Sequence, residues 1–265
     1  MNTETYSNAD VVKLTGEKLV SAKINSDKNE ALWKKFATAD AGLPATFFLD
    51  ADGATVAELV GFMGAADYLD ALKRILAAHP KLRDAKAAAE KSAGDGAAQF
   101  ALAEVYADLR RDKEALAQFE KAAAVLEPGK PPTDDGRRML AVAYFRIAKA
   151  YGSASKWPEA RAAIAKYEAV DADNKHGYAD DLVPYKAVAA AEHDNNIDAA
   201  LKIVDEGLAK WPESNIADCL GYLKGAFLHE KREHAKAVEV WKAVAAKYPK
   251  TIFGRRAKEA AEHDH

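Results

Sequence analysis

The chain has 265 residues, of which 49% are hydrophobic and 30% charged, the profile of a folded protein rather than a disordered tail. Its 38 Lys and Arg are interspersed with 41 Asp and Glu, for a net charge of -3 without a basic block, which argues against nucleic acid or an anionic membrane as the main partner. No stretch approaches about 18 consecutive apolar residues, so membrane insertion is not expected. Cys219 is the only cysteine, which rules out an internal disulfide, a Cys-x-x-Cys redox pair and a cysteine-rich zinc site, and it is expected to be a small buried apolar residue. The length suits two domains, expected at 1–80 and 81–265. Alanine runs such as 85–89 and 187–191 predict a mostly α fold.

Residues 1–80 have α/β patterning. Helices are expected at 8–18, 29–38 and 65–78, the last with a Tyr68, Leu69, Leu72, Ile75, Leu76 stripe. Strand-like runs occupy 19–25, 45–49 and 55–60, the last two flanking a hairpin turn at Asp50-Ala51-Asp52-Gly53. That turn faintly echoes a calcium loop, but the required Glu is missing and Glu58 falls early. Gly42-Leu43-Pro44 before an apolar strand, then Phe48-Leu49-Asp50-x-Asp52-Gly53 and Gly61 before a helix, resembles the second half of a thioredoxin fold over about 75 residues. The resemblance implies that Pro44 is the cis proline bordering that family's active site, with Ala45 where the family has Thr. The family's first buried strand and its dithiol motif are absent, and residues 1–8 look like the chain just after that motif. Met1 is therefore expected to be an internal start within a longer parent. The chain reads as cytoplasmic as written, and as exported or periplasmic if the true N-terminus lies upstream. Loss of that strand would leave unpaired edges inside the sheet, between 19–25 and 45–49.

From about Asp95 one spacing recurs four times. Ala115, Ala160, Ala200 and Ala237 are followed at +4 and +7 by Phe119 and Ala122, Ile164 and Tyr167, Val204 and Gly207, and Trp241 and Val244. These offsets share one helical face. At 12 and 9 residues before the anchors stand Ala103 and Tyr106, Ala148 and Tyr151, Val188 and Ala191, and Gly225 and Leu228, so each unit is two helices. Polar turns at 110–114, 193–196 and 230–233 separate them, and the second helices end at Pro128, Pro212, Pro249 and the polar run at 171–174. The pattern resembles the tetratricopeptide family, best in the first unit and weakest in the third and fourth, where Val188 takes a small position and Lys224 an apolar one. The anchors are 45, 40 and 37 residues apart against about 34 in the family, with the surplus assigned to loops at 128–136, 171–177 and 212–215. Residues 252–262 are expected to cap the array.

The expected fold class is thus a tetratricopeptide-like α-solenoid preceded by a small, incomplete thioredoxin-like α/β segment. Fifteen residues before the anchors stand Phe100, Phe145, Tyr185 and Tyr222, and four residues later Glu104, Lys149, Ala189 and Ala226. In the family this register tends to face a ligand groove. These residues are read as a candidate groove for a protein or peptide partner, against the alternative that the rings are core. The seven histidines, 79, 176, 193, 229, 234, 263 and 265, are scattered and read as solvated; His263-Asp264-His265 is read as a frayed terminus, so no metal site is expected. Trp33, Trp157, Trp211 and Trp241 are read as packing. No phosphate loop, nucleophile elbow or dinucleotide glycine motif appears, so neither a catalytic residue nor a cofactor is expected. The leading reading is a non-catalytic protein-binding module. Its competitor is the C-terminal part of a thioredoxin-family oxidoreductase or chaperone whose cysteines lie upstream.

Overall fold

The computed structural model describes residues 1, 3–37, 42–127 and 133–263. It contains two compact units, Met1–Leu126 and Glu127–His265. Helix α1 (Ala9–Lys18) starts where Asn8 accepts hydrogen bonds from the Asp10 and Val11 amides, and Asp10 and Lys18 complement its two dipole ends. Helix α2 (Glu30–Phe36) follows an Asn29 that makes no side-chain cap, and Thr38 of its expected span lies outside the described residues. Strands β1 (Ala45–Leu49) and β2 (Thr55–Val60) form an antiparallel hairpin with Phe48 opposite Ala57 and a bulge between Phe48 and Leu49. The Asp50 carboxylate closes the turn by accepting from the Asp52 and Ala54 amides at 3.0 and 2.8 Å, and Gly53 supplies the positive φ of 80°. The Leu43-Pro44 bond is cis.

Successive strand residues face opposite ways. Phe48, Ala57 and Leu59 join Val11 and the α3 stripe in one core, while the Phe47 ring meets Trp33 and Phe36 of α2, each at 6.1 Å. Tyr6 ties the first residues to this core through the Thr46 hydroxyl at 2.9 Å and an edge contact with Tyr68, and Thr5 donates to the Met63 carbonyl. Residues 19–25 form no strand, which corrects the expectation: Val20 is fully exposed and Ile24 54% exposed. A strand is held by a ladder partner, and among the described residues none lies beside this segment. Apolar residues alone do not make a strand.

Helix α3 (Ala65–Lys91) does not stop at Ala78 but runs through Pro80. Its first half buries Tyr68, Ala71, Leu72, Ile75 and Ala78 against the hairpin; its second half lies on α4 (Gly96–Asp108), where the Gln99 amide donates to the Ala89 carbonyl at 2.9 Å. Tertiary packing on both sides of the proline outweighs the lost helical hydrogen bond. Leu109, after α4, belongs to the same core as the hairpin, and α5 (Asp112–Leu126) folds back on α4. The α/β segment and the first helix pair thus belong to the compact unit Met1–Leu126.

The second unit is α6 (Asp134–Ser153) with α7 (Trp157–Val170), α8 (Val183–Glu192) with α9 (Ile197–Lys210), α10 (Ala217–Glu230) with α11 (His234–Lys247), and α12 (Ile252–His263) on α10 and α11. All twelve anchor residues of the four pairs are buried; Ala122, Ala200, Val204 and Ala237 are fully so. Each pair turns through one left-handed residue five positions before its anchor: Arg110, Ser155, Asn195 and Arg232. The next amide then reaches back to the helix, as Arg111 to Tyr106, Lys156 to Tyr151 and Glu233 to Leu228, each at 2.9 Å, satisfying carbonyls that the helix end would orphan. The second helices α9 and α11 end one residue before Trp211-Pro212 and Tyr248-Pro249, while Pro128 and Asp264-His265 lie outside the described residues. After α7 there is no proline. Instead the buried Tyr167 hydroxyl lies 2.7 Å from the Asp171 carboxylate and 3.0 Å from the Asn174 side-chain oxygen, and accepts from the Tyr178 amide. Tandem helix hairpins with a closing helix make this a tetratricopeptide-like repeat fold.

Glycines mark the tightest approaches. A Cβ on Gly225 would overlap the Trp241 indole, whose N–H donates to the Tyr222 carbonyl at 3.1 Å. Gly225→Ala should therefore destabilise the protein by about 1–3 kcal/mol, read as a lower urea midpoint with unchanged slope. An unshifted midpoint would mean that the α10–α11 contact is looser than described.

Candidate interaction surface

The expected groove residues separate into two groups. Phe100 and Phe145 are buried, the former edge-on to Phe119 and the latter stacked on Tyr178 with centroids 4.5 Å apart. Tyr222 is half-buried against Trp241 and Phe253, and the half-buried Tyr185 ring fills the space that Gly152 leaves open. The rings are thus packed against neighbouring helices or, for Phe145, against Tyr178 of the loop between α7 and α8. Glu104 and Lys149 are exposed, whereas Ala189 is buried and Ala226 half-buried. Pro44 enters β1, in the first unit, and belongs to a different surface.

Within the second unit the first helices of successive pairs touch one another, α6 with α8, α8 with α10, and α10 with α12. They form one layer, whose polar members were not legible as a set. On α6, residues 139–145 are buried all round, leaving Arg146 and Lys149 as an exposed cationic pair three residues apart. Lys149 acts on Asp181, but burial dominates there and raises that carboxyl, with Asp180 adding to the effect. Tyr185 is raised chiefly by burial, with a lowering hydrogen bond from Ser153 and smaller contributions from Cys219 and Asp181. Cys219 is half-buried beside Asp218 and Arg256; burial first, then Asp218, pushes its thiol up to about 12.

The second helices carry ion pairs to the next hairpin, Arg161 to Asp194 and Lys231 to Asp198, all largely exposed and individually worth little. A cavity of about 180 Å³ is bordered by Asp134, Arg137, Asp171, Lys175 and His176, with both charge signs and with Asp171 already engaged by Tyr167 and the His176 amide. Among the described residues no helix is long and apolar enough to cross a membrane.

No protein-family profile and no curated protein matches the chain. Two solved structures are similar, both nearly identical TPR-like repeats of kinesin light chain type from Podosopora anserina. One is 16% identical, covers 63% of this chain and 83% of its own, and has a TM-score of 0.47. The other, a single-substitution variant of the same repeats, is 14% identical, covers 70% of this chain and 96% of its own, also with a TM-score of 0.47. The repeat architecture rests on the packing described above.

Two outcomes follow. Phe145→Ala should cost about 3–5 kcal/mol of stability, as a core truncation, whereas Lys149→Ala should stay within about 0.5 kcal/mol. At neutral pH Ellman's reagent should label Cys219 in the folded chain on the order of 100-fold or more slowly than in urea, because the raised thiol leaves little thiolate. Equal rates would place the thiol in free solvent.

Proposed function

We propose that this protein is a non-catalytic module that holds a partner polypeptide on the layer formed by the first helices of its second unit. What supports the reading is that the hairpins consume their anchor residues in packing, while Arg146, Lys149 and Arg256 stay exposed on α6 and α12. A protein or peptide segment, rather than nucleic acid, fits a surface of mixed charge and half-buried aromatics. No cofactor enters this reading.

The competing reading makes the chain the C-terminal part of a thioredoxin-family oxidoreductase or chaperone. It is favoured by one feature, a β-hairpin covered by helices on both faces and entered through Leu43-Pro44. A dithiol cycle needs two thiols, so with Cys219 alone this chain should be inactive in insulin reduction. A coding sequence for a strand and Cys-x-x-Cys, in frame upstream of Met1, would favour the second reading.

The test of the first reading uses the full chain. Lys149→Glu should weaken a captured partner at least about tenfold, a loss of about 1.4 kcal/mol, with an unchanged melting curve. Lysine cross-links to the partner should fall on Lys149 of α6 rather than on Lys202 and Lys210 of α9. Cross-links confined to α9, or none in the second unit, would overturn it.

A further inference from the structure

Two of the scattered histidines meet at the turn of the last hairpin. His229 lies in the last turn of α10 and His234 opens α11, and their ring centroids are 4.7 Å apart with the planes at 79°. Five residues apart in the chain, they miss the spacing of four that pairs histidines on one helix. The turn brings them together instead. Its left-handed residue is Arg232, with a φ of 65°. The Lys231, Arg232 and Glu233 amides donate to the Phe227, His229 and Leu228 carbonyls at 3.0, 2.8 and 2.9 Å, which fixes one backbone segment against the other. The His229 ring also lies 5.9 Å, between centroids, from the buried Trp241 indole.

The repeat does not require this pair. At the same two positions relative to the anchor, the other hairpins carry Ala107 and Asp112, Gly152 and Trp157, and Glu192 and Ile197. Both imidazoles are exposed, so core packing does not account for them either.

Imidazole is the commonest protein ligand of late transition ions, whereas Mg2+ and Ca2+ take oxygen. With metal–nitrogen bonds of about 2.1 Å, two imidazoles on one ion at about 90° have centroids about 4.6 Å apart, against about 5.3 Å at the tetrahedral angle. The observed separation fits the right angle, the geometry of square-planar or tetragonal Cu2+ and Ni2+ rather than of tetrahedral Zn2+. Each ring has two nitrogens, so a partner held at one orients the ring for coordination through the other. Glu233 is not a third ligand, because its carboxylate pairs with Lys231 at 3.3 Å and Lys236 at 2.6 Å. Among the described residues no group of three His, Cys, Asp or Glu is placed to enclose an ion, so water completes the shell.

We propose that His229 and His234 form a two-histidine site for Cu2+ or Ni2+ that clamps α10 to α11. An ion held only by the folded chain stabilises it in proportion to its occupancy. The site is independent of partner binding by the repeats.

The test titrates NiCl2 into the full chain carrying His263→Ala and His265→Ala, which removes the terminal histidines. One equivalent should bind by calorimetry, tryptophan emission should fall because the ion sits beside Trp241, and the melting temperature should rise. His229→Gln and His234→Gln should each weaken binding at least about tenfold and abolish the rise, with an unchanged circular dichroism spectrum. MgCl2 at the same concentration should produce neither effect. Binding that does not saturate below about 1 mM, or variants that bind like the parent, would overturn the proposal. Should a variant fail to fold, the histidine ring signals of the parent decide: Ni2+ should broaden those of His229 and His234 first, and broadening of other histidines alone would equally overturn it.

Discussion

The repeat region depends on how closely two helices can approach where an alanine of the second meets a small residue of the first. At Ala115, Ala160, Ala200 and Ala237 the side chain is buried to 5% exposure or less, and opposite them Ala103, Ala148 and Gly225 add almost nothing to the separation. A larger residue at these points would push the axes apart, and Phe119, Ile164, Val204 and Trp241, one turn further on, would lose their dense contacts. Only the third pair departs, with Val188 in the small position, and there Gly207 gives the room instead by accommodating Val183 and Leu220.

The same close packing explains what became of the aromatic ladder. An interior at crystal-like density uses large flat rings to fill the gaps between neighbouring helices, so a ring recurring at a fixed register is drawn into the seam. Phe145 stacks on Tyr178 and Tyr185 fits over Gly152, which stabilises the hairpin stack. The polar fraction of the same helices stays at the surface.

The N-terminal segment follows a different logic. Its helix-covered hairpin has a real core around Leu72 and Phe48, yet among the described residues eight of the nine large exposed hydrophobic side chains lie between Val12 and Phe62.

Much of this was legible in the sequence. The fourfold spacing placed the anchors, the turns and the closing helix, because helical periodicity is local and each unit repeats the same requirement. The Asp50 to Gly53 turn and the Asn8 cap were readable for the same reason, since each is satisfied within a few residues. Three features were decided only by tertiary structure. Residues 19–25 have a strand's composition but no neighbour to pair with among the described residues; α3 continues through Pro80 because the hairpin holds one half and α4 the other; and of the four recurring aromatics Phe100 and Phe145 are buried while Tyr185 and Tyr222 are half-buried. In each case the outcome rests on contacts between residues distant in the chain, and local pattern carries no record of which partner will be there.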